Sequence, residues 1–229
     1  MDIESSLIKG CLICGSKTAD NGLFCSECGK FALTVERRCV RCGAFTLDPS
    51  KPDCNSCRGK KIFFDTIFSC YIYSGPVSSV ISKMKYGKIE SFAVVLGTFL
   101  AMNVPADIVN GRTVIFPPMS FFHKFSRSFN QAQIIADRVA SIHKLELDSR
   151  LIKKVKRTKP QAALTYEERQ TNLKNAFSLT KDVRKQSFLI VDDVCTTFST
   201  INAIAELLKK NGAESVNAVT LARTSPYFT

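Results

Sequence analysis

The chain has 229 residues, 45% of them hydrophobic and 23% charged, with a formal net charge of +12. That composition excludes a disordered or collagen-like chain and leaves room for a sizeable core. No apolar run approaches the ~20 residues of a membrane span, and the opening MDIESSLIKG is not a signal peptide, so the expectation is a cytoplasmic protein without membrane insertion. The basic excess suits a polyanion or a phosphorylated small molecule as partner.

Ten cysteines would point to disulfides in a secreted protein, but eight of them form four C-x-x-C pairs: CLIC (11–14), CSEC (25–28), CVRC (39–42) and CNSC (54–57). A tight turn carrying two thiolates is half of a tetrahedral zinc site. The spacing therefore predicts two structural zinc ions held by Cys11, Cys14, Cys25, Cys28, Cys39, Cys42, Cys54 and Cys57. Sequential and exchanged pairings of the four knuckles both fit. Gly15, Gly29 and Gly43 follow the pairs where such knuckles often turn through positive φ. Cys70 and Cys195 fall outside the pattern and read as small core or loop residues.

The texture changes near residue 60. KIFFDTIFSCYIY (61–73) reads as a strand or hairpin opening a second domain, which gives domains 1–60 and 61–229. VSSVISKMKYG and SFAVVLGTFLAMN read as helices, and RTVIFPPMS (112–120) as a strand stopped by Pro117 and Pro118. RSFNQAQIIADRVASIHK carries Ile135, Val139 and Ile142 on one helical stripe. TYEERQTNLKNAF reads as helical. SFLIVDD (187–193) is an unbroken apolar run of the kind a buried parallel strand shows. STINAIAELLKKNGA is an amphipathic helix that Gly212 can cap, and SVNAVTLART is a closing strand. Alternating strands and helices predict an α/β fold, a parallel sheet with helices on both faces.

The stretch FLIVDDVCTTFST (188–200) carries the chemistry. Asp192 and Asp193 fall at the carboxyl edge of the sheet, where open α/β folds bind ligands. Thr196, Thr197, Ser199 and Thr200 lie at the start of the next helix, whose free N–H groups and dipole favour a phosphate. The carboxylates suit sugar hydroxyls, directly or through Mg²⁺. A receiver domain would need a phosphoacceptor aspartate downstream, yet no Asp follows Asp193. A dinucleotide fold would need a glycine-rich turn, and none follows these strands.

FLIVDDVCTTFST resembles the motif with which type I phosphoribosyltransferases bind phosphoribosyl pyrophosphate (PRPP). Four cysteine pairs, MKYG (84–87), FPPMS (116–120), RSFNQAQIIA (127–136), KPQAALTYEERQTNLKNAF (159–177) and this motif stand in the order seen in the ComF family. That family joins an N-terminal double zinc ribbon to a type I phosphoribosyltransferase-like domain. The resemblance covers nearly the whole chain. It implies that Asp192 and Asp193 hold the ribose hydroxyls with Mg²⁺, and that Thr196, Thr197, Ser199 and Thr200 cradle the 5′-phosphate. Pro117 and Pro118 would shape the pyrophosphate loop, with Arg127 as the pyrophosphate contact. Lys85, Arg157, Gln161 and Arg169 would complete the PRPP site, the last three from a hood loop. Arg127, Asp192 and Asp193 would be the catalytic set. His123 reads as a surface residue rather than a general base.

Two functions follow from the resemblance. One is Mg²⁺-dependent phosphoribosyl transfer from PRPP to an unnamed acceptor, linked to DNA uptake. The other is a non-catalytic module that binds PRPP or single-stranded DNA and docks a competence helicase. The strip Arg150, Lys153, Lys154, Lys156, Arg157, Lys159 would meet DNA phosphates, with Phe121, Phe122 and Phe125 as candidate stacking rings. A sequence-specific DNA reader is disfavoured, because no basic recognition helix sits among the cysteines. Two departures from the family pattern stand out: Ser128 and Phe198 replace glycines. By the resemblance Phe198 sits inside the phosphate loop and puts activity in question: at positive φ a bulky residue costs about 1–2 kcal/mol, whereas in an αR-like conformation the strain vanishes and the ring points into the core or over the ribose pocket.

Overall fold

The computed structural model describes residues 10–18, 22–87, 89–119, 129–156, 173 and 175–228. Its strands are β1 (Thr66–Ile72), β2 (Thr113–Ile115), β3 (Ile152–Lys154), β4 (Phe177–Leu179), β5 (Ser187–Cys195) and β6 (Ser215–Arg223). Its helices are α1 (Ser26–Gly29), α2 (Gly75–Tyr86), α3 (Glu90–Asn103), α4 (Ala106–Val109), α5 (Gln131–His143) and α6 (Ser199–Lys210).

Strands β1, β6, β5 and β2 form one parallel sheet in that order. Phe188, Leu189, Ile190 and Val191 are all buried because β5 has a neighbour on each side and helices on both faces. Leu189 and Val191 join one core with residues of α2, α3 and α5. Phe188 and Ile190 join the other, with α6, Phe177 of β4 and the cysteines 39, 42, 54 and 57. The second cysteine module is thus part of the sheet's own core.

Both sheet edges are covered, which removes open templates for further pairing. Residues 33–35 run antiparallel along β1, with the Ile72 amide donating to the Leu33 carbonyl at 2.7 Å and the Val35 amide to Cys70 at 3.2 Å. Residues 146–148 run parallel along β2, bridging Val114 to Leu147. The knuckle glycine Gly43 (φ 68) lies against β1, so that a Cβ there would come within 1.9 Å of the Ile67 carbonyl oxygen.

Several predicted elements shift. The first strand starts at Thr66 rather than 61, because Asn202 of α6 takes the backbone upstream: its Oδ1 accepts from the Phe63 amide and its Nδ2 donates to the Lys61 carbonyl. The predicted strand 112–120 narrows to Thr113–Ile115. Phe177 opens β4, paired antiparallel with β3, instead of ending a helix; residues 165–172 of that predicted helix lie outside the described residues. Gly29 is helical, whereas Gly59 takes the positive φ (70) expected of a knuckle. The α6 terminus matches expectation: Gly212 is left-handed (φ 89), and the amides of Gly212 and Ala213 donate to Lys209 and Leu208. Among the described residues no helix is long and apolar enough to cross a membrane.

Gly43→Ala adds about 1–2 kcal/mol of left-handed strain to a backbone clash, whereas Gly15→Ala (φ 77) meets nothing within 4 Å. Thermal unfolding should therefore show a clearly larger drop in Tm for Gly43→Ala.

Candidate functional site

The eight paired cysteines form two clusters, Cys11–Cys14–Cys25–Cys28 and Cys39–Cys42–Cys54–Cys57, each with its sulfurs within 4.8 Å of one another. The knuckles therefore pair sequentially. Five of the sulfur–sulfur separations lie between 3.6 and 3.9 Å. A tetrahedron with Zn–S bonds of ~2.3 Å has edges of about 3.8 Å, so each cluster could hold a structural zinc ion. Burial works to raise the Cys11 thiol, yet backbone N–H groups of Cys14, Cys25 and Ile13 outweigh it and hold it at about 6. The two sites differ in setting: Cys14 is exposed, whereas all four cysteines of the second cluster are buried. The unpaired cysteines are core residues. Burial pushes Cys70 up to about 12 against the opposing Arg38 charge, and it also raises Cys195.

Parallel pairing brings the carboxyl ends of β2 and β5 to one edge. At that edge Asp192, Thr196, Ser199 and Thr200 line a single cleft with Val194, Cys195, Phe198 and Ile201. The cleft opens at the N-terminus of the twelve-residue α6, whose dipole favours an anion. Thr197 and Ser199 share a hydroxyl hydrogen bond of 2.9 Å, which stiffens the turn. Phe198 adopts φ 53, ψ 8, the left-handed conformation for which its family's glycine is suited. Its side chain is directed away from solvent: the residue is 3% exposed, and the ring meets Phe64 edge-on at 5.7 Å. Burying a phenylalanine contributes roughly 1.5–3 kcal/mol, enough to offset the strain.

The two acids part company. Strand alternation sends Asp193 to the face of Leu189 and Val191, where Lys85 from the last turn of α2 meets it at 2.9 Å. Both side chains are largely buried (15% and 11% exposed). Asp192 faces the other way and its Oδ1 accepts from the Asp193 amide at 2.8 Å. The structure thus brings Asp192 to the loop and commits Asp193 to Lys85. Pro117 and Pro118 are half-buried just beyond β2, and the Asn130 side chain donates to the Pro117 carbonyl at 3.3 Å. That bond ties the proline turn to the N-terminus of α5. Arg127, Arg157, Gln161 and Arg169 lie outside the described residues, as do Ser128, Lys159, His123 and the three candidate stacking phenylalanines. Of the basic strip, Arg150, Lys153 and Lys156 are exposed; Lys154 is half-buried against Phe177 at 5.9 Å, and burial lowers its pKa.

Sequence reasoning missed Lys60, Phe64, Asn202 and Arg223, which surround or fasten the loop at the start of α6. Only Arg223 left a signal, as a lone charge closing an otherwise uncharged strand.

This site belongs to a phosphoribosyltransferase-fold domain, and the two four-cysteine sites precede it in the chain: residues 125–226 match the family described as phosphoribosyl transferase domain. The chain is 31% identical over 205 residues to the DNA utilization protein YhgH of Salmonella typhimurium, covering 87% of this chain and 90% of that protein. It is 31% identical over 215 residues to competence protein F of Haemophilus influenzae, covering 90% and 92%, and 25% identical over 229 residues to competence protein ComFC of Streptococcus pneumoniae, covering 93% and 99%. The chain belongs to the ComF family.

Two measurements follow. Metal analysis should find two zinc ions per chain, and Cys54→Ser should remove one. Lys85→Met should destabilise the fold by roughly 3 kcal/mol, because it leaves Asp193 buried without its partner. Urea unfolding of Lys85→Met/Asp193→Leu should recover most of that loss.

Proposed function

We propose that this protein binds PRPP with Mg²⁺ and transfers its phosphoribosyl group to an acceptor, in a role connected with DNA uptake. The observation that carries the reading is the cleft in which Asp192, Thr196, Ser199 and Thr200 meet the α6 N-terminus. A 5′-phosphate would take the loop amides and hydroxyls, and Asp192 would accept from the ribose hydroxyls or hold Mg²⁺. Pro117 and Pro118 would shape the pyrophosphate turn. Lys85 would orient Asp193, and both would adjust when sugar arrives. Arg127, Arg157 and Arg169 would neutralise pyrophosphate and Gln161 would donate a hydrogen bond to it, favouring its departure from C1. The names of the relatives, DNA utilization and competence proteins, support the link to DNA.

A second reading is a module that binds PRPP without transferring it, with single-stranded DNA and a helicase as partners. It is favoured by the cleft lining, which holds no histidine and no carboxylate besides Asp192 to act as a base among the described residues. The exposed Arg150, Lys153 and Lys156 would supply the DNA contacts.

Calorimetry tests the shared core. PRPP should release heat with wild type only when Mg²⁺ is present, and Asp192→Asn should weaken binding at least tenfold, more than Asp193→Asn. No heat with wild type would remove the site from both readings. Pyrophosphate release in the presence of an acceptor separates the enzyme from the module.

A further inference from the structure

Among the described residues the buried carboxylates and cations come to two, Asp193 and Arg223. Asp193 is answered by Lys85 at 2.9 Å. Arg223, the last residue of β6, has no such answer. It is 1% exposed and forms no ion pair among the described residues. Its Nη1 donates to the Cys195 sulfur at 2.8 Å, while Nε and Nη2 have no hydrogen-bond partner. A thiol sulfur is a weak acceptor, and burial raises Cys195 above the ordinary thiol range, so this contact does not cancel the charge. Holding a lone cation out of water lowers stability. Such a loss is typically tolerated where a site needs the group.

The place of this cation in the fold is specific. Strands β5 and β6 run parallel with Cys195 and Arg223 in register. The guanidinium carbon lies 5.6 Å from the centre of the Phe198 ring. Cys195 and Phe198, the two residues it meets, both line the cleft at the start of α6. Arg223 therefore stands behind the cleft wall and is directed at it from the core side. Thr224 fixes the placement: its amide donates to the Cys195 carbonyl and its hydroxyl to that of Thr196, both at 3.1 Å.

A charge in this position acts through protein rather than through water. Coulomb attraction across a low-dielectric wall falls off far less than across solvent, so a cation that never touches an anion in the cleft still draws it in. Because the guanidinium is already buried and fixed, binding costs it no further desolvation or ordering. The Phe198 ring suits the arrangement, since an aromatic π-system is attracted to a cation. A glycine at position 198 would offer no such ring. On the cleft side the α6 dipole and the hydroxyls of Thr196, Ser199 and Thr200 favour the same sign of ligand.

We propose that Arg223 is the buried counter-charge of a phosphomonoester site at the start of α6, acting on the anion from behind Cys195 and Phe198 without contacting it. Identifying that phosphomonoester with the 5′-phosphate of PRPP rests on the function proposed above. In the ligand-free protein the charge is uncompensated and lowers stability; the bound phosphate compensates it. Removing the charge then has opposite consequences for two readouts: affinity falls, whereas ligand-free stability does not. A residue that merely holds the fold together would lower both.

The test takes the full chain, with ribose 5-phosphate as probe and ribose as uncharged control, titrated at constant ionic strength. Wild type should bind ribose 5-phosphate more tightly than ribose. Arg223→Met should weaken ribose 5-phosphate binding roughly tenfold or more, and Arg223→Lys, which keeps the charge, should fall in between. The urea midpoint of ligand-free Arg223→Met should equal or exceed that of wild type. Wild-type affinity in Arg223→Met, Arg223→Lys as weak as Arg223→Met, or no preference of wild type for ribose 5-phosphate over ribose would each overturn the proposal. A clearly lower urea midpoint, or an Arg223→Met chain that does not fold while Arg223→Lys does, would assign the guanidinium to the fold and overturn it too. The two readings fail separately. Ribose 5-phosphate binding that depends on Arg223, in a protein that gives no heat with PRPP, removes the proposed function and leaves the buried counter-charge. Heat with PRPP and ribose 5-phosphate binding indifferent to Arg223 does the reverse.

Discussion

The parallel pairing of β5 with β2 on one side and β6 on the other is the constraint on which the rest depends. It forces the carboxyl ends of these strands to one edge and leaves each strand's exit free to become a loop. Asp192, the proline turn after Ile115 and the start of α6 then converge there without any long-range sequence signal. It also makes β5 apolar on both faces, and that burial fixes the register strongly. A slip of one residue would exchange Asp192 with Asp193 and put the ion pair with Lys85 on the wrong face.

The four-cysteine modules are built into this sheet rather than appended to it. Residues 33–35 close the β1 edge, Gly43 rests on Ile67, and Phe45 packs edge-on against Tyr227 and Phe228. Metal binding and folding of such modules are linked, since thiolates converge only in the folded state. Here that linkage extends into the sheet core, because the second cluster's cysteines pack with Phe188, Ile190 and Ile204.

Much of the site was legible because its residues are neighbours in sequence. The loop 192–200 is read from nine consecutive positions, and the C-x-x-C pairs from local spacing. Two features were not legible. The separation of the two acids depends on strand alternation meeting a lysine more than 100 residues earlier, and only the approach of α2 to the sheet creates that contact. The role of Phe198 could not be read either. From sequence the ring could point into the core or over the ribose pocket, and only the buried pocket made by Phe64, Lys60 and Arg223, which come from opposite ends of the chain, decides for the core.

The sequence by itself determined the class of fold, the two thiolate sites and the place of the loop between β5 and α6, because alternation, metal-ligand spacing and helix-start patterns are all short-range. The tertiary structure alone decided which knuckles pair, which acid faces the cleft and where the Phe198 ring goes. Each of these is a matter of which distant surfaces meet. In a close-packed core, burial and charge pairing across such contacts outweigh the local preference of any single residue.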